Sequence, residues 1–175
     1  MKNNKFFFKI LFFLIFFFNF NFLLSDEFEF KASKIETTNN NNKIKGTGGV
    51  EVNDKKDLII TGQQFEYNKL NSILVVNDNV VIKDSLNNNL IKTEKIIFNK
   101  ISNIINTANK TIIELDSGYL IESSSLIYDR NLNVITSDNK TFVTDPYENK
   151  LTMRAFQYST INRILSAQDL SLIHI

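Results

Sequence analysis

From residue 28 onward, apolar positions come in short alternating runs broken by clusters of Asn, Asp, Ser and Lys. The clearest stretch is Gln64–Asp84. Phe65-Glu66-Tyr67 alternates, Asn68–Asn71 is a turn, and Ile73–Val76 is a short apolar run. A second turn, Asn77-Asp78-Asn79, leads into Val80-Val81-Ile82 and then Lys83-Asp84. Short β-branched runs with polar punctuation predict strands joined by tight turns. Phe28-Glu29-Phe30 and Ile44–Val52 alternate in the same way, and Gly46, Gly48 and Gly49 suit a tight turn or bulge. Asp54–Asp57 predicts a polar turn before the strand that starts at Leu58. No stretch after the N-terminal block keeps apolar residues at i, i+3, i+4 and i+7 for three turns, so helix is disfavoured.

The pattern repeats. Lys95–Asn99, Ser125–Asp129 and Ala155–Ser159 match Gln64–Asn68, and the aromatic positions Tyr67, Phe98, Tyr128 and Tyr158 lie 31, 30 and 30 residues apart. Phe65, Ile96, Leu126 and Phe156 stand two residues earlier and share a face with them. The apolar pair recurs at Ile44, Leu74, Ile104-Ile105, Val134-Ile135 and Ile164-Leu165. The third part recurs at Val50–Val52, Val80–Ile82, Ile113–Leu115 and Thr141–Val143, closed by Asp54, Asp84, Asp116 and Asp145. A period near thirty with about three strands per unit predicts a stacked all-β array.

Residues 1–25 read differently. Lys2, Lys5 and Lys9 accompany an apolar block that runs to Leu24 and holds ten of the sixteen Phe residues. A basic start, an apolar core and a small residue at Ser25 predict a cleaved signal peptide, with an uncleaved anchor as the alternative. Removing three Lys and no acid takes the net charge from +1 to −2. The remainder is a near-neutral, polar-faced domain with no charge signature for nucleic acid. The Phe, Asn, Lys and Ile bias matches AT-rich codons.

Candidate chemistry is sparse. The chain has no Cys, which excludes disulfides, thiolate metal sites, cysteine nucleophiles and lipoprotein acylation. Its one His, His174, is next to last, so neither a His triad nor a zinc site is expected. The recurring acids lack the glycine-rich nonapeptide of calcium-binding β-rolls, and turn-forming and solubility roles are expected for them. Glu66, Glu94, Glu114 and Glu122 form no recognisable acid–base pair, and Lys43, Lys45, Lys55 and Lys56 read as solvated turns. No enzyme activity, cofactor or metal is expected.

Repeats of the form apolar-x-aromatic, turn, apolar pair, Asn-Val-x-Val/Ile-x-Asp resemble the OstA-like domain family. That family comprises LptA and the periplasmic N-terminal domain of LptD, the lipopolysaccharide-assembly proteins. The resemblance is carried by FEYNKLNSILVVNDNVVIKD (65–84), with support from IIFNK (96–100) and LIYDRNLNVITSDNKTFVTD (126–145), and covers roughly Phe28 to Asp169. It departs from the family where a usual Gly is Asp78 or Asp138, positions that need only a small or turn-forming residue.

The resemblance implies an open, twisted β-jellyroll (a β-taco) of about four to five stacked units over residues 26–169. It further implies that the inward apolar ladder holds the acyl chains of lipid A: Phe65, Tyr67, Val80, Ile82, Ile96, Phe98, Leu126, Tyr128, Val143, Phe156 and Tyr158. Ile113 and Leu115 join the facing rungs. Glu66, Asn99, Glu114 and Gln157 point outward. From the pattern alone, the same residues also suit a closed structural core, and one layer can serve both purposes. Other implied partners are Lpt bridge proteins, docked by edge-strand pairing near Phe28–Ile35, and an outer-membrane barrel.

Residues 170–175, LSLIHI, follow a break in the repeat and read as a non-native tail of a truncated frame. With that reading, an LptD fragment is favoured over an LptA-like protein. The expected function is periplasmic, non-catalytic lipopolysaccharide binding and transport to the outer membrane of a Gram-negative bacterium. The alternative is a β-solenoid scaffold or surface adhesin without lipid cargo.

Overall fold

The computed structural model describes residues 28–169 and 171–173. The expected signal peptide and His174 lie outside the described residues, whereas Ser171–Ile173, within the expected tail, forms a strand.

Among the described residues there are fourteen strands and no helix. The first six are β1 (Glu29–Thr38), β2 (Lys43–Asn53), β3 (Leu58–Asn68), β4 (Ile73–Asp84), β5 (Asn89–Asn99) and β6 (Ile104–Glu114). Each is ten to twelve residues long and pairs antiparallel with the next. The later strands are short: β7 (Leu120–Ser123), β8 (Ile127–Asp129), β9 (Val134–Ser137), β10 (Thr141–Thr144), β11 (Lys150–Met153), β12 (Ala155–Ser159), β13 (Ile164–Gln168) and β14 (Ser171–Ile173). Beyond β6 the sheet divides. One wing continues through β7, β10, β11 and β14, the other through β8, β9, β12 and β13.

The division is prepared earlier by a crease. Pairing shifts register between Ala32 and Lys34, Thr47 and Val50, Thr61 and Gln64, Asn77 and Val80, and Thr93 and Lys95. Such irregularities bend a strand and increase its twist. The extra residues take left-handed backbone angles: Gly48 and Gly49 at φ 83° and 81°, Asp78 and Asn79 at 65° and 53°, Asn109 at 67°. Glycine adopts this region freely, and Asn and Asp tolerate it best among the rest. The aspartate at position 78 therefore fits the place where the family pattern has glycine. The same property explains the Asn-rich turns, where Asn39, Asn40 and Asn41 have φ of 54°, 53° and 66°.

The thirty-residue unit is thus one bent hairpin of four half-strands, against the three that the apolar runs suggest. The fourth limb is exemplified by Leu58–Thr61, which continues through the crease into Gln64–Asn68 as one strand. The result is the expected all-β, open, unclosed sheet. β1 pairs with β2 only, so its other edge is unpaired among the described residues. The half-strands before and after the crease face each other, and their inward side chains form one apolar core. Alternation supplies it: in β3, Leu58, Ile60, Phe65 and Tyr67 are buried, while Ile59, Gln63 and Gln64 are exposed.

Candidate functional site

Period-two alternation places the aromatic residues on one wing. Cross-strand neighbours there run Ile44, Tyr67, Leu74, Phe98, Ile105, Tyr128, Ile135, Tyr158, Leu165. Aliphatic and aromatic residues alternate along this ladder, a favourable cross-strand pairing. The opposite wing is almost purely aliphatic: Val52, Ile60, Ile82, Ile91, Ile113, Ile121, Val143, Leu151. All eleven residues expected to line the interior are buried in it, as is Ile113, while Leu115 is partly buried. Of the residues expected outside, Gln157 is exposed and Glu66, Asn99 and Glu114 are half-buried.

In this structure the interior is filled by side chains. Phe28 packs edge-on against Tyr67 and Phe98 at centroid distances of 5.3 and 5.5 Å, and Phe30 stacks on Phe65 at 4.5 Å. These contacts join the two wings at the β1 end.

Hydroxyl groups line the crease. Thr93 Oγ1 lies 3.0 Å from Thr111 Oγ1, which donates to Thr107 Oγ1 at 2.8 Å; Thr107 Oγ1 accepts the Leu126 amide at 2.9 Å. Further along, Ser123 and Ser137 hydroxyls lie 2.9 Å apart, and Ser137 donates to the Ser125 carbonyl at 2.7 Å. Bulges leave main-chain groups without ladder partners, and these buried side chains supply some of the missing bonds. Nothing in the apolar pattern singled them out.

The mouth, opposite the crease, is held by polar side chains. Tyr128 donates to Asp84 Oδ2 at 2.5 Å, and the Asn87 amide bonds both Asp84 Oδ2 and the Tyr128 oxygen, at 2.8 and 3.1 Å. Burial and the bonded, charged Asp84 carboxylate hold the Tyr128 hydroxyl well above the usual phenol range. Arg130 donates to Asp54 Oδ2 and Asn103 Oδ1, each at 3.0 Å, and to Asp57 Oδ1. Arg163 donates to Asp116 Oδ2 at 2.6 Å.

Asp54 and Asp84 correct one expectation. They do cap turns: Asp54 Oδ1 accepts the amides of Lys56, Asp57 and Leu58, and Asp84 Oδ1 those of Leu86 and Asn87. They are not solubility residues, because they are only 4% and 2% exposed and bridge the wings. Asp145 fits the turn role alone. It accepts the amides of Tyr147 and Asn149, and its bonds from Asn149 hold its carboxyl below the usual range. Lys43 and Lys45 are not simply solvated either, since both pair with Glu66 on the outer face at 2.9 and 3.0 Å.

Two cavities flank the mouth. One, of about 350 Å³, is polar and lined by Asp54, Lys56, Asp57, Asn87, Lys100 and Arg130 among others. The other, of about 310 Å³, is bounded by Leu115, Tyr119, Ile121, Val143, Tyr158 and Leu165, with Ser117 and Arg163 at its edge. Among the described residues, no group of three or more His, Cys, Asp or Glu is placed to hold a metal ion.

No protein-family model matches the chain, and no curated protein matches it. Among solved structures it is similar to LptH, the LptA homologous periplasmic component of the conserved lipopolysaccharide transport device from Pseudomonas aeruginosa. The identity is 11%, over 85% of this chain and 95% of that one, with a TM-score of 0.33. It also matches the wild-type TCP10 domain of Danio rerio CPAP in complex with a peptide of Danio rerio STIL. There the identity is 13%, over 85% of this chain and 98% of that one, with a TM-score of 0.17. Both TM-scores lie below 0.5, and the fold is established by the strand pairing of the chain itself.

Proposed function

We propose that the chain is a non-catalytic, periplasmic carrier for lipopolysaccharide, taking acyl chains of lipid A between its two wings. One observation carries the reading. The wings share backbone pairing through the crease, and no strand of one pairs with a strand of the other across the mouth among the described residues. The apolar interior is therefore sealed on that side by side chains alone. Parting the Tyr128–Asp84 and Arg130–Asp54 contacts exposes a continuous apolar lane without breaking a ladder. Each CH₂ that enters it gains about 0.8 kcal/mol, and sugars and phosphates stay at the polar mouth. The repeat's resemblance to the OstA-like family supplies the cargo class. The proposal covers an LptA-like carrier and an LptD N-terminal domain alike. Edge strand β1 offers a docking edge for a bridge protein, and a barrel partner belongs to the same proposal.

The packed interior favours a second reading, a β-solenoid scaffold or surface adhesin without lipid. A photo-crosslinking amino acid at Phe98, inside the ladder, separates the two when compared with one at exposed Gln157. The carrier reading expects lipopolysaccharide adducts at Phe98 and none at Gln157. Adducts at Gln157 but none at Phe98 overturn it.

A further inference from the structure

The mouth is not sealed equally along its length. At Arg130 one guanidinium, only 9% exposed, spans two carboxylates, Asp54 and Asp57. At Arg163 the guanidinium meets a single carboxylate, Asp116, and its side chain is 61% exposed. Behind Arg163 lies the apolar chamber of about 310 Å³, walled by Ile121, Val143 and Leu165 and by the ring of Tyr158. That volume is at the small end of ligand pockets.

Tyr158 supplies the second observation. It occupies the same ladder position as Tyr128, one unit later, and is only 4% exposed. The Tyr128 hydroxyl has Asp84 and Asn87 as partners, whereas none of the described residues bonds the Tyr158 hydroxyl. The Tyr158 ring is buried, but its hydroxyl is not among the sealed-off polar atoms and still meets solvent. Here it lines a chamber with aliphatic walls and a cation at the edge.

We propose that this chamber seats one acyl chain of an anionic amphiphile, with the phosphate or carboxylate of its head on the Arg163 guanidinium and the Tyr158 hydroxyl. The inference deepens the carrier reading and rests on it for the chamber's purpose. The chamber is the loading point of the lane, because the Arg163 ion pair across the mouth there is single and exposed, whereas that of Arg130 is double and buried. The charge fits as well: a phosphate offers Arg163 more acceptors than the one Asp116 oxygen it now bonds.

The chain has no Trp, so Tyr119→Trp, at the chamber edge and 39% exposed in the parent residue, gives a single reporter. Dodecyl phosphate, dodecyl maltoside and inorganic phosphate are titrated separately into the whole chain below their micelle concentrations. Dodecyl phosphate is expected to saturate the fluorescence change, and inorganic phosphate to give none. Arg163→Gln should weaken dodecyl phosphate about tenfold and leave dodecyl maltoside unchanged. Ser117→Trp, at an exposed edge position, should block the chamber in a chain whose circular dichroism is intact. No response to dodecyl phosphate, or equal binding after Arg163→Gln and in the Ser117→Trp chain by calorimetry, overturns the proposal. The Phe98 crosslink keeps the two readings apart. Adducts at Phe98 with a silent chamber leave the carrier standing and remove the loading point. A responsive chamber without adducts at Phe98 removes the lane and leaves an isolated amphiphile site.

Discussion

The hydroxyl of Tyr128 lies 2.5 Å from Asp84 Oδ2, although 44 residues separate the two. Twist brings them together: each wing leans across the other, so a turn on one side meets a strand end from a later unit. Both residues are nearly inaccessible, at 1% and 2% exposure. Replacing the donor leaves a buried carboxylate short of one bond. Tyr128→Phe is therefore expected to cost about 1–3 kcal/mol, read as a lower urea midpoint at neutral pH with unchanged m-value. An unchanged midpoint removes the contact from the list of seals.

The same pair sets a dependence on alkaline pH. The folded Tyr128 hydroxyl titrates above the ordinary value of 10.0, mainly through burial and then through Asp84. Its protonated form is thus the one folding favours. The contribution is fully present below pH 10.0 and is lost as pH rises through the raised folded value. The parent chain should lose stability above pH 10.0 more steeply than Tyr128→Phe does. Parallel stability curves for the two through that range count against the assignment.

Arg130 makes the heaviest seal. Removing it strips Asp54, 4% exposed, of the guanidinium whose Nη1 lies 3.0 Å from its Oδ2. Arg130→Met is expected to destabilise by about 3–5 kcal/mol, the usual cost of stranding a buried charge. Asp54→Asn keeps an oxygen for the amides of Lys56, Asp57 and Leu58, so the double variant should recover part of the loss. Strict additivity of the two single losses in urea melts is the outcome that contradicts a direct ion pair.

What could be read in the sequence follows from the range of each interaction. The inward ladder was legible because burial on a strand obeys a period of two, visible within Phe65-Glu66-Tyr67. The repeat of Tyr67, Phe98, Tyr128 and Tyr158 then fixed the stacking. The seals were not legible, because Arg130 and Asp54 are 76 residues apart and meet only through twist. Asp54 and Asp84 read as turn residues since their local bonds are those of turns. Thr93, Thr107 and Thr111 were missed for the opposite reason: they are polar at inward positions, where the pattern looks for apolar ones. Gly46 was legible as unusual and misassigned as turn or bulge, since its role is set by Phe65 on the next strand.

On the outer face, Glu66 couples stability to acid. Bonds from Lys43 and then Lys45 hold its carboxyl below the ordinary value of 4.5. The contribution is therefore present above pH 4.5 and lost as pH falls through the depressed folded value. Solvent screens the pair, whose Glu66 side chain is 37% exposed, so the effect stays under about 1 kcal/mol. Glu66→Gln should lower the urea midpoint slightly at neutral pH and flatten its fall below pH 4.5. Raising the salt concentration should shrink the difference between the two chains. A difference that persists at low pH and high salt points to packing instead of charge.

Gly46 tests the ladder itself. It is directly opposite Phe65 in the pairing of β2 with β3, and a Cβ there would stand 2.1 Å from Phe65 Cε1 and 2.7 Å from Cδ1. The ring lies over the glycine and is itself stacked on Phe30, at 4.5 Å between centroids, so it has little room to retreat. Gly46→Ala is thus expected to destabilise by about 1–3 kcal/mol, the usual cost of overpacking, although alanine is otherwise the better residue in a strand with ordinary angles. The companion Phe65→Leu removes the atoms that clash. In that background Gly46→Ala should be nearly neutral or stabilising, measured as thermal midpoints of the four chains of the cycle. If Gly46→Ala costs the same with leucine at position 65, the glycine is required by its own backbone and not by the ring across from it.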